Sequence, residues 1–245
     1  MTPEFEERLA SRWPEIFGGR KRPITQSLMA FGCEHGDGWY SLLDALCETL
    51  VEHASALGRR PPEFVQVKEK YATLRAYVSG GWDEFDDGAI SLAEDLSARV
   101  CEVSGAPGVE CVRGGWYATR APEIAVREGW TVVSEVVGRP AQPLPPVPTA
   151  EAAHILKEAW PEVIRCDPEI PPGYFDVVDV LASRLDDHLN RGKATPSRIL
   201  ALGHAEGELV VTVDAVRDRD LGALAMAVAM SRRTDPATGS IGQLP

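Results

Sequence analysis

One short loop combines residue types that enzymes use for proton transfer. Residues 32–40 read Gly-Cys-Glu-His-Gly-Asp-Gly-Trp-Tyr. A histidine and an aspartate this close in sequence, His35 and Asp37, can act together as a general base. The loop ends in two aromatic residues, Trp39 and Tyr40, which open a predicted helix. The sequence therefore offers one candidate hydrolytic site, although no recognisable serine or cysteine nucleophile motif and no phosphate-binding glycine pattern accompanies it.

A basic cluster of Lys68, Lys70 and Arg75 is the second candidate site. Apolar and polar residues alternate over 64–70 and 73–78, which predicts two strands joined by a tight turn. On such a hairpin Lys68 and Lys70 share one face. That face fits a phosphate group or an acidic partner surface, but lysines also protect exposed edge strands against aggregation.

The third candidate site is an acidic run around two aromatic residues. Its members are Trp82, Asp83, Glu84, Phe85, Asp86 and Asp87. This density of negative charge can imitate a phosphate run, whereas its spacing lacks the ligand pattern of an EF-hand calcium loop. The run also fits an exposed connection into a helix predicted from Gly88, because Asp87 would then lie near the helix start.

The chain as a whole is acidic and otherwise of ordinary composition. It has 245 residues, a formal net charge of −12, and 44% hydrophobic and 25% charged residues. This charge disfavours direct binding to nucleic acid and favours a basic protein partner, but an acidic surface is also a common means of keeping a protein soluble. The longest apolar run, 223–230, is too short to cross a bilayer, and the acidic start is not typical of a signal peptide. We therefore expect a cytoplasmic protein with no membrane partner.

The sequence also repeats itself. Gly38-Trp39-Tyr40 aligns with Gly173-Tyr174-Phe175, and one deletion later Gly88-Ala89 aligns with Gly222-Ala223. The shared positions are mainly apolar, so most of the repeated signal concerns folding.

This repeat predicts an α+β protein built from two tandem modules, each with the order helix, helix, β-hairpin, helix. The first module is residues 1–138 and the second is 149–245, and a proline-rich linker over 139–148 joins them. Residues 109–138 belong to the first module alone or to the seam between the modules. The predicted helices are 3–16, 40–57 and 88–101 in the first module, and 149–164 and 221–233 in the second. Asp37 is a candidate cap and Gly58 a candidate stop for the second helix.

Three stretches, 31–40, 65–78 and 101–108, resemble a family of small bacterial and prophage proteins with no assigned function. Members of that family carry a KEKFG-x-LRFY hairpin, and residues 68–77 of this chain read KEKYATLRAY. A C-x-x-C-G-x-x-G and W-x-T-x-C-x-x-H segment follows the hairpin in the family. The resemblance covers residues 27–125.

The resemblance implies a zinc knuckle, because Cys-x-x-Cys followed by Cys-x-x-His is a closed tetrahedral ligand set. Cys101 occupies the first ligand position here, but Ser104 replaces the second, and Ala121 and Ile124 stand near the last two. Hydroxyl and methyl groups do not hold zinc, so we expect no structural metal and no cofactor. Cys101 and Cys111 with a distant histidine form the remaining alternative.

The leading functional hypothesis is a non-enzymatic protein-interaction module. Acidic modules without a recognisable active site fit an immunity or anti-defence inhibitor that occludes a toxin or defence-system component. Trp82, Phe85, Trp116 and Tyr117 are its candidate anchors. One alternative is a small-ligand-binding or hydrolytic module that uses the loop 32–40 and the basic cluster. Another is a degenerate zinc-knuckle adaptor that once touched nucleic acid.

Overall fold

A computed structural model gives the fold, and it describes residues 1–133, 149–190, 197–214 and 217–242. The predicted linker, 139–148, lies outside the described residues, as do residues 134–138 of the predicted first module. Within the described ranges the chain mixes α-helices and β-strands, as the sequence predicts. None of the helices in those ranges combines the length and the apolar character that crossing a membrane requires.

The first part of the chain folds around a β-hairpin. Its elements are α1 (Pro3–Arg12), β1 (Cys33–Glu34), α2 (Tyr40–Ala56), β2 (Glu63–Lys70), β3 (Thr73–Ser79) and α3 (Glu84–Ser97). β2 is the middle strand of a three-stranded sheet, parallel to β1 and antiparallel to β3. Val67 and Leu74, which are fully buried, pack from the hairpin into the core.

A small second sheet follows. It contains β4 (Val109–Arg113), β5 (Trp116–Arg120) and β6 (Thr131–Val132), with α4 (Pro122–Glu128) between the last two strands. The strand order is β5-β4-β6. The Thr119 hydroxyl donates to the Ala72 carbonyl at 2.6 Å, which ties β5 to the turn of the first hairpin.

The last part of the chain repeats the order of helices and hairpin of the first, but none of its described residues forms a strand that corresponds to β1. Its elements are α5 (Thr149–Ala159), α6 (Phe175–Asn190), β7 (Arg198–Ala205), β8 (Glu208–Asp214) and α7 (Asp218–Ser231). β7 and β8 form a two-stranded antiparallel sheet. Both hairpins have a register shift early in their first strand, between Phe64 and Gln66 in β2 and between Ile199 and Ala201 in β7.

The acidic run corrects one prediction, because it forms the N-cap and first turn of α3 rather than an exposed connection. The Asp83 side chain accepts the Asp86 N–H at 3.1 Å, and the Asp86 side chain accepts the Asp83 N–H at 3.2 Å. This reciprocal capping box satisfies two backbone donors at the helix start. α3 therefore begins at Glu84, four residues before the predicted start at Gly88.

Other boundaries also differ from the predicted ones. α1 ends at Arg12, because Pro14 disfavours a helical conformation of the residue before it. Asp37 does not cap α2, since its carboxylate accepts the Thr2 N–H at 2.6 Å instead. Gly58 follows the end of α2 with a φ of +63°, as expected for a helix stop.

The two parts of the chain pack together where α3 crosses α7. A Cβ added to Gly88 would lie 1.9 Å from the Arg219 carbonyl oxygen, and one added to Gly222 would lie 1.8 Å from that of Phe85. Only glycine permits this approach of two backbones. A single apolar core cluster accordingly includes buried residues from both parts of the chain.

Two aspartates link the parts by hydrogen bonds. Asp44 in α2 is fully buried and accepts from Trp13 Nε1 at 2.8 Å and from Arg233 Nη2 at 2.6 Å. Asp179 accepts from Trp160 Nε1 and from Arg99 Nη2, both at 2.8 Å. Each aspartate therefore binds a tryptophan of its own part of the chain and an arginine of the other part.

Candidate functional site

The outer face of the β2–β3 hairpin carries the basic cluster. Lys68 lies opposite Arg75, and Gln66 lies opposite Tyr77. Because side chains alternate along a strand, these residues lie on the side opposite the buried Val67. We call this surface the hairpin face, and its members are Gln66, Lys68, Lys70, Thr73, Arg75 and Tyr77.

The two lysines of the hairpin face stand beside tyrosines rather than carboxylates. Lys68 Nζ lies 5.8 Å from the ring centroid of Tyr77, and Lys70 Nζ lies 5.7 Å from that of Tyr71. Neither lysine forms a salt bridge with any described residue. Arg75 is held differently, with Nη1 3.9 Å from a Glu94 oxygen. Lys68 and Lys70 therefore offer two cations without an internal counter-ion.

The turn of this hairpin holds two residues in the left-handed region of φ. The φ angles are +52° for Tyr71 and +63° for Ala72. Two-residue hairpin turns of this kind favour Asn and Gly, because a Cβ makes the left-handed conformation unfavourable. Tyr71 is nevertheless 73% exposed, so burial of its ring does not repay this cost. Strain of this kind is often found at functional sites.

A groove continues the hairpin face at the end away from the turn. It has a volume of about 340 Å³, and its lining is half apolar (Ile24, Leu28, Val65, Tyr77) and half polar (Thr25, Gln26, Ser27, Gln66). The Ser27 hydroxyl donates to the Val65 carbonyl at 3.4 Å, so the segment before β1 is fixed against β2. The groove can receive an apolar side chain of a binding partner.

Two further exposed aromatic residues lie in the second sheet. Trp116 is 77% exposed, and Tyr117 is also exposed. Tyr117 is on the same side of β5 as Thr119, which contacts the hairpin turn at Ala72, whereas Trp116 is on the other side. The predicted anchors Trp116 and Tyr117 therefore lie on the strand that borders the hairpin turn.

The acidic run is largely engaged inside the fold. Arg59 Nη2 lies 2.9 Å from Asp83 and 2.6 Å from Asp86, and His53 Nε2 lies 2.9 Å from Asp83. Desolvation opposes ionisation of Asp83, but hydrogen bonds from His53, the Asp86 N–H and Arg59 outweigh it and lower its pKa to about 2. These contacts give Asp83 and Asp86 a structural role.

The other members of the run differ in their contacts. The Phe85 ring stacks on His53 with centroids 3.8 Å apart, so one of its faces is covered. Asp87 pairs with Arg219 of α7 at 2.9 Å. Glu84 and Trp82 are exposed. The run therefore leaves Trp82 and Glu84 as the members most accessible to a partner.

His53, Asp83 and Asp86 are also the one group of described side chains with the spacing of a metal site, with ligand atoms within 4.8 Å of one another. The Arg59 guanidinium contacts both carboxylates, however. Because arginine keeps its positive charge at any physiological pH, it already supplies the cation that these carboxylates need. The residues present do not fit a bound metal ion.

The loop 32–40 places its histidine inside the protein. His35 is 7% exposed, and its Nδ1 donates to the Gly36 carbonyl at 2.8 Å. Nε2 has no hydrogen-bond partner in the described part of the chain. Burial lowers the pKa of His35 to about 4, so the imidazole is neutral at pH 7. His35 and Asp37 do not hydrogen-bond to each other, because the Asp37 carboxylate binds the Thr2 N–H.

The two aromatic residues of the loop are structural as well. Trp39 is fully buried, and its Nε1 donates to the Val100 carbonyl at 2.8 Å. Tyr40 is buried at the start of α2. The loop therefore presents neither the paired base nor the aromatic rings to a ligand on the surface.

The positions that the family resemblance assigns to zinc ligands meet in space. Cys101, Ala121 and Ile124 are buried and form a small apolar cluster, with Ala106 packed against it. Ser104 lies in the adjacent turn, where its Oγ accepts the Ala106 N–H at 3.3 Å. Cys101, Ala121 and Ile124 therefore hold this region together by apolar contacts.

Sequence reasoning missed Tyr71, Tyr77 and the groove beside them. The signal for Tyr71 is its place in a two-residue turn that lacks glycine and asparagine. The groove gives no such signal, because Ile24 and Leu28 are distant from β2 in sequence. No protein-family model, curated protein or solved structure matches this chain, so its function is argued from the site alone.

Proposed function

We propose that this chain is a non-enzymatic interaction module of the immunity or anti-defence type, and that it occludes a partner protein through the hairpin face. The observation that carries the proposal is the state of Lys68 and Lys70. Neither forms an ion pair with any residue that the structure describes, on a chain whose net charge is −12. They can therefore form charge-assisted hydrogen bonds to a partner without first breaking internal ones.

The neighbouring aromatic residues support the same proposal. Exposed tyrosine and tryptophan dominate the binding energy of many interfaces, because they bury much area with little loss of side-chain entropy. Tyr71 and Tyr77 flank the lysines, and Trp116 and Tyr117 stand on opposite sides of the strand that borders the hairpin turn. A fitting partner places acidic residues on the lysines and an apolar side chain in the groove. Its surrounding surface is basic, because the rest of this chain is acidic.

The alternative is a small-ligand-binding or hydrolytic module, and of these two activities only ligand binding keeps support. Glu34 of β1 lies opposite Lys68 of β2 in the strand register, so the loop 32–40 does border the basic cluster. His35, Trp39 and Tyr40 are buried, however, which removes the catalytic groups that the loop offered. A phosphate compound bound at Lys68, Lys70 and Arg75 is the remaining form of this alternative.

A photo-cross-linker tests the proposed function. Benzoylphenylalanine replaces Tyr71 in the native host or, as a control, the exposed Val126. We expect one dominant cross-linked protein from position 71 and none from position 126. Adding Lys68→Glu and Lys70→Glu abolishes the cross-link, because the partner's acids then face like charges.

The control makes the same change of charge at two lysines outside the hairpin face, Lys21 and Lys157, of which Lys157 pairs with Asp167. The cross-link should persist in this control. A cross-link that survives reversal of Lys68 and Lys70 contradicts the proposal. Absence of any cross-link, together with a melting temperature that inorganic phosphate raises in the wild type and not in the reversed variant, supports the small-ligand alternative instead.

We also propose that the chain is a tandem duplication of one module. The matching order of helices and hairpin, the matching register shifts and the two Trp–Asp–Arg sets support it. A crystal structure in which residues 40–97 and 175–231 have different topologies would refute it.

A further inference from the structure

Both backbone polar groups of Ala72, in the turn of the first hairpin, are bound by side chains. The N–H of Ala72 donates to Glu69 Oε1 at 2.6 Å, and its carbonyl accepts from the Thr119 hydroxyl at 2.6 Å. Ala72 is 2% exposed, so both hydrogen bonds are shielded from water. An alanine stays in the left-handed conformation only where its surroundings hold it there, because its Cβ makes that conformation unfavourable. Glu69 and Thr119 supply this hold.

Thr119 is itself fixed within the second sheet. It is fully buried, and its carbonyl accepts the N–H of Glu102 at 3.2 Å. The Arg120 guanidinium donates to the same carbonyl at 3.1 Å. The Thr119 methyl group lies against Gly108, where an added Cβ would be 2.8 Å from Thr119 Cγ2. The hydroxyl therefore reaches the turn from a position that packing and hydrogen bonds determine.

The turn of the second hairpin has the same backbone shape with less steric cost. Its two residues are Glu206 and Gly207, with φ angles of +53° and +84°. The Gly207 carbonyl is bound as well, since it accepts from the Tyr174 hydroxyl at 2.7 Å. Glycine adopts the left-handed conformation readily, whereas Ala72 at the matching position of the first hairpin does not. The first turn therefore depends more on its side-chain contacts than the second does.

Holding Ala72 also fixes its neighbour Tyr71, because the two residues form one turn with defined dihedral angles. The Tyr71 ring is exposed and lies beside Lys70, whose Nζ is 5.7 Å from the ring centroid. A group that is already in its bound position loses less entropy when a partner binds. The contacts of Ala72 therefore pre-organise the end of the hairpin face.

We infer that Thr119 and Glu69 are positioning residues, which hold the turn so that Tyr71 is presented to the partner. Thr119 is buried and so acts through the turn alone. The inference assigns a role to the second sheet, which is present only in the first part of the chain: it supports the tip of the hairpin face from behind. It rests on the proposed function, because the surface it concerns is the same.

Hydrogen exchange of the free protein tests the hold on the turn without any partner. Thr119→Val keeps the shape of the side chain and removes the hydroxyl. We expect the Ala72 amide to exchange about tenfold faster in this variant, because its carbonyl loses its partner and the turn opens more often. Thr119→Ser is the matched control. It keeps the hydroxyl, so its Ala72 amide should exchange within about threefold of the wild-type rate.

Cross-linking in the native host tests the consequence for the partner. Benzoylphenylalanine replaces Tyr77, which lies on the hairpin face away from the turn. Thr119→Val and Tyr71→Ala should each lower the yield of the cross-link by about fivefold. Adding Thr119→Val to Tyr71→Ala should lower it no further, because residues that act through one group are not additive. A general loss of folded structure would instead lower the yield in both backgrounds.

Glu69 gives a second pair of variants that leaves the second sheet untouched. Glu69→Met removes the acceptor of the Ala72 N–H, and Glu69→Gln keeps a side-chain oxygen at that place. The cross-link from position 77 should weaken in Glu69→Met and persist in Glu69→Gln. This pair decides the question if circular dichroism shows that Thr119→Val does not fold.

Two results would overturn the inference. One is an equal rate of exchange of the Ala72 amide in wild type, Thr119→Val and Thr119→Ser. The other is a loss of cross-link in Thr119→Val, or in Glu69→Met, that is as large without the Tyr71 ring as with it. Absence of any cross-link in the wild type, together with the expected exchange rates, would reject the proposed function and leave the hold on the turn established.

Discussion

His35 illustrates how burial alone sets the chemistry of a residue. Its pKa is lowered to about 4 by burial, whereas an unfolded histidine has a pKa of about 6.5. Between these values the unfolded state binds more protons, so the free energy of unfolding falls as the pH falls from about 6.5 to 4. The difference corresponds to about 3 kcal/mol.

Asp176 acts in the opposite direction over nearly the same range. Burial raises its pKa to about 6, although Arg99 opposes the shift. The folded state then holds a proton that an unfolded aspartate, with a pKa of about 3.9, releases. Stability from this group therefore rises as the pH falls from about 6 to 4. The two groups offset each other in the wild type.

Single variants should separate these two contributions. His35→Gln removes the histidine titration, so its free energy of unfolding should increase relative to wild type by about 2 kcal/mol between pH 6.5 and 4.5. Asp176→Asn should show the reverse trend, because it leaves His35 unopposed. Urea unfolding at pH 6.5, 5.5 and 4.5 measures both. Three parallel profiles would show that neither group titrates as described.

Residue types were readable from the sequence, but their environments were not. The period-two pattern places Lys68 and Lys70 on one face, and the strand register agrees. The sequence also suggested that His35 and Asp37 act together as a general base. It does not show that His35 is buried and that Asp37 binds the Thr2 N–H. Burial depends on contacts between residues far apart in the chain.

At the scale of elements, the turn of the first hairpin holds Tyr71 in an unfavourable left-handed conformation and leaves its ring exposed. Tyr71→Asn should raise the free energy of unfolding by about 0.5–1 kcal/mol, because asparagine tolerates the left-handed conformation better than tyrosine does. The loss of the ring should at the same time weaken partner binding. Chemical denaturation and the yield of a cross-linker placed elsewhere on the hairpin face measure the two effects.

Tyr77→Asn is the matched control for this turn. It makes the same substitution in an extended strand of the same hairpin, where asparagine is disfavoured, and should lower stability. Equal losses of stability at positions 71 and 77 would show that the turn is not strained. An unchanged cross-link in Tyr71→Asn would remove this tyrosine from the interface.

Element types were predicted better than element ends. Alternation fixed both strands of the first hairpin to within one residue, because period two is a strong local signal. The start of α3 was misplaced since an acidic run looks like an exposed connection. The spacing of Asp83 and Asp86 is the signal that would have corrected it, because a carboxylate three residues after the N-cap can complete a capping box.

At the scale of the whole molecule, the decisive contacts join residues that the sequence gives no reason to pair. The repeat suggested two modules on a spacer, with their relative placement open. The structure joins the first and last parts of the chain through Gly88 and Gly222 and through arginines that reach across to Asp44 and Asp179. These contacts depend on how α3 and α7 cross, and no local pattern encodes that crossing.

Arg233→Ala tests whether the two parts of the chain fold as one unit. The substitution leaves Asp44 fully buried with only Trp13 and the partly exposed Arg12 as polar partners. Removing one member of a buried ion pair typically costs about 3–5 kcal/mol, and we expect a smaller loss here because Arg12 still pairs with Asp44 at 3.1 Å. Since the apolar core runs through both parts, we expect one unfolding transition, shifted as a whole, with tryptophan fluorescence and circular dichroism coinciding.

Arg165→Ala is the control for this variant, because its partner Glu162 is exposed. Pairs of that kind contribute about 0–1 kcal/mol, so this variant should unfold close to wild type. Two separate transitions, of which Arg233→Ala moves only one, would show that the parts fold independently. A single shifted transition would instead mean that binding at the hairpin face is linked to the stability of the last part of the chain, because any ligand of the folded state then stabilises the whole chain.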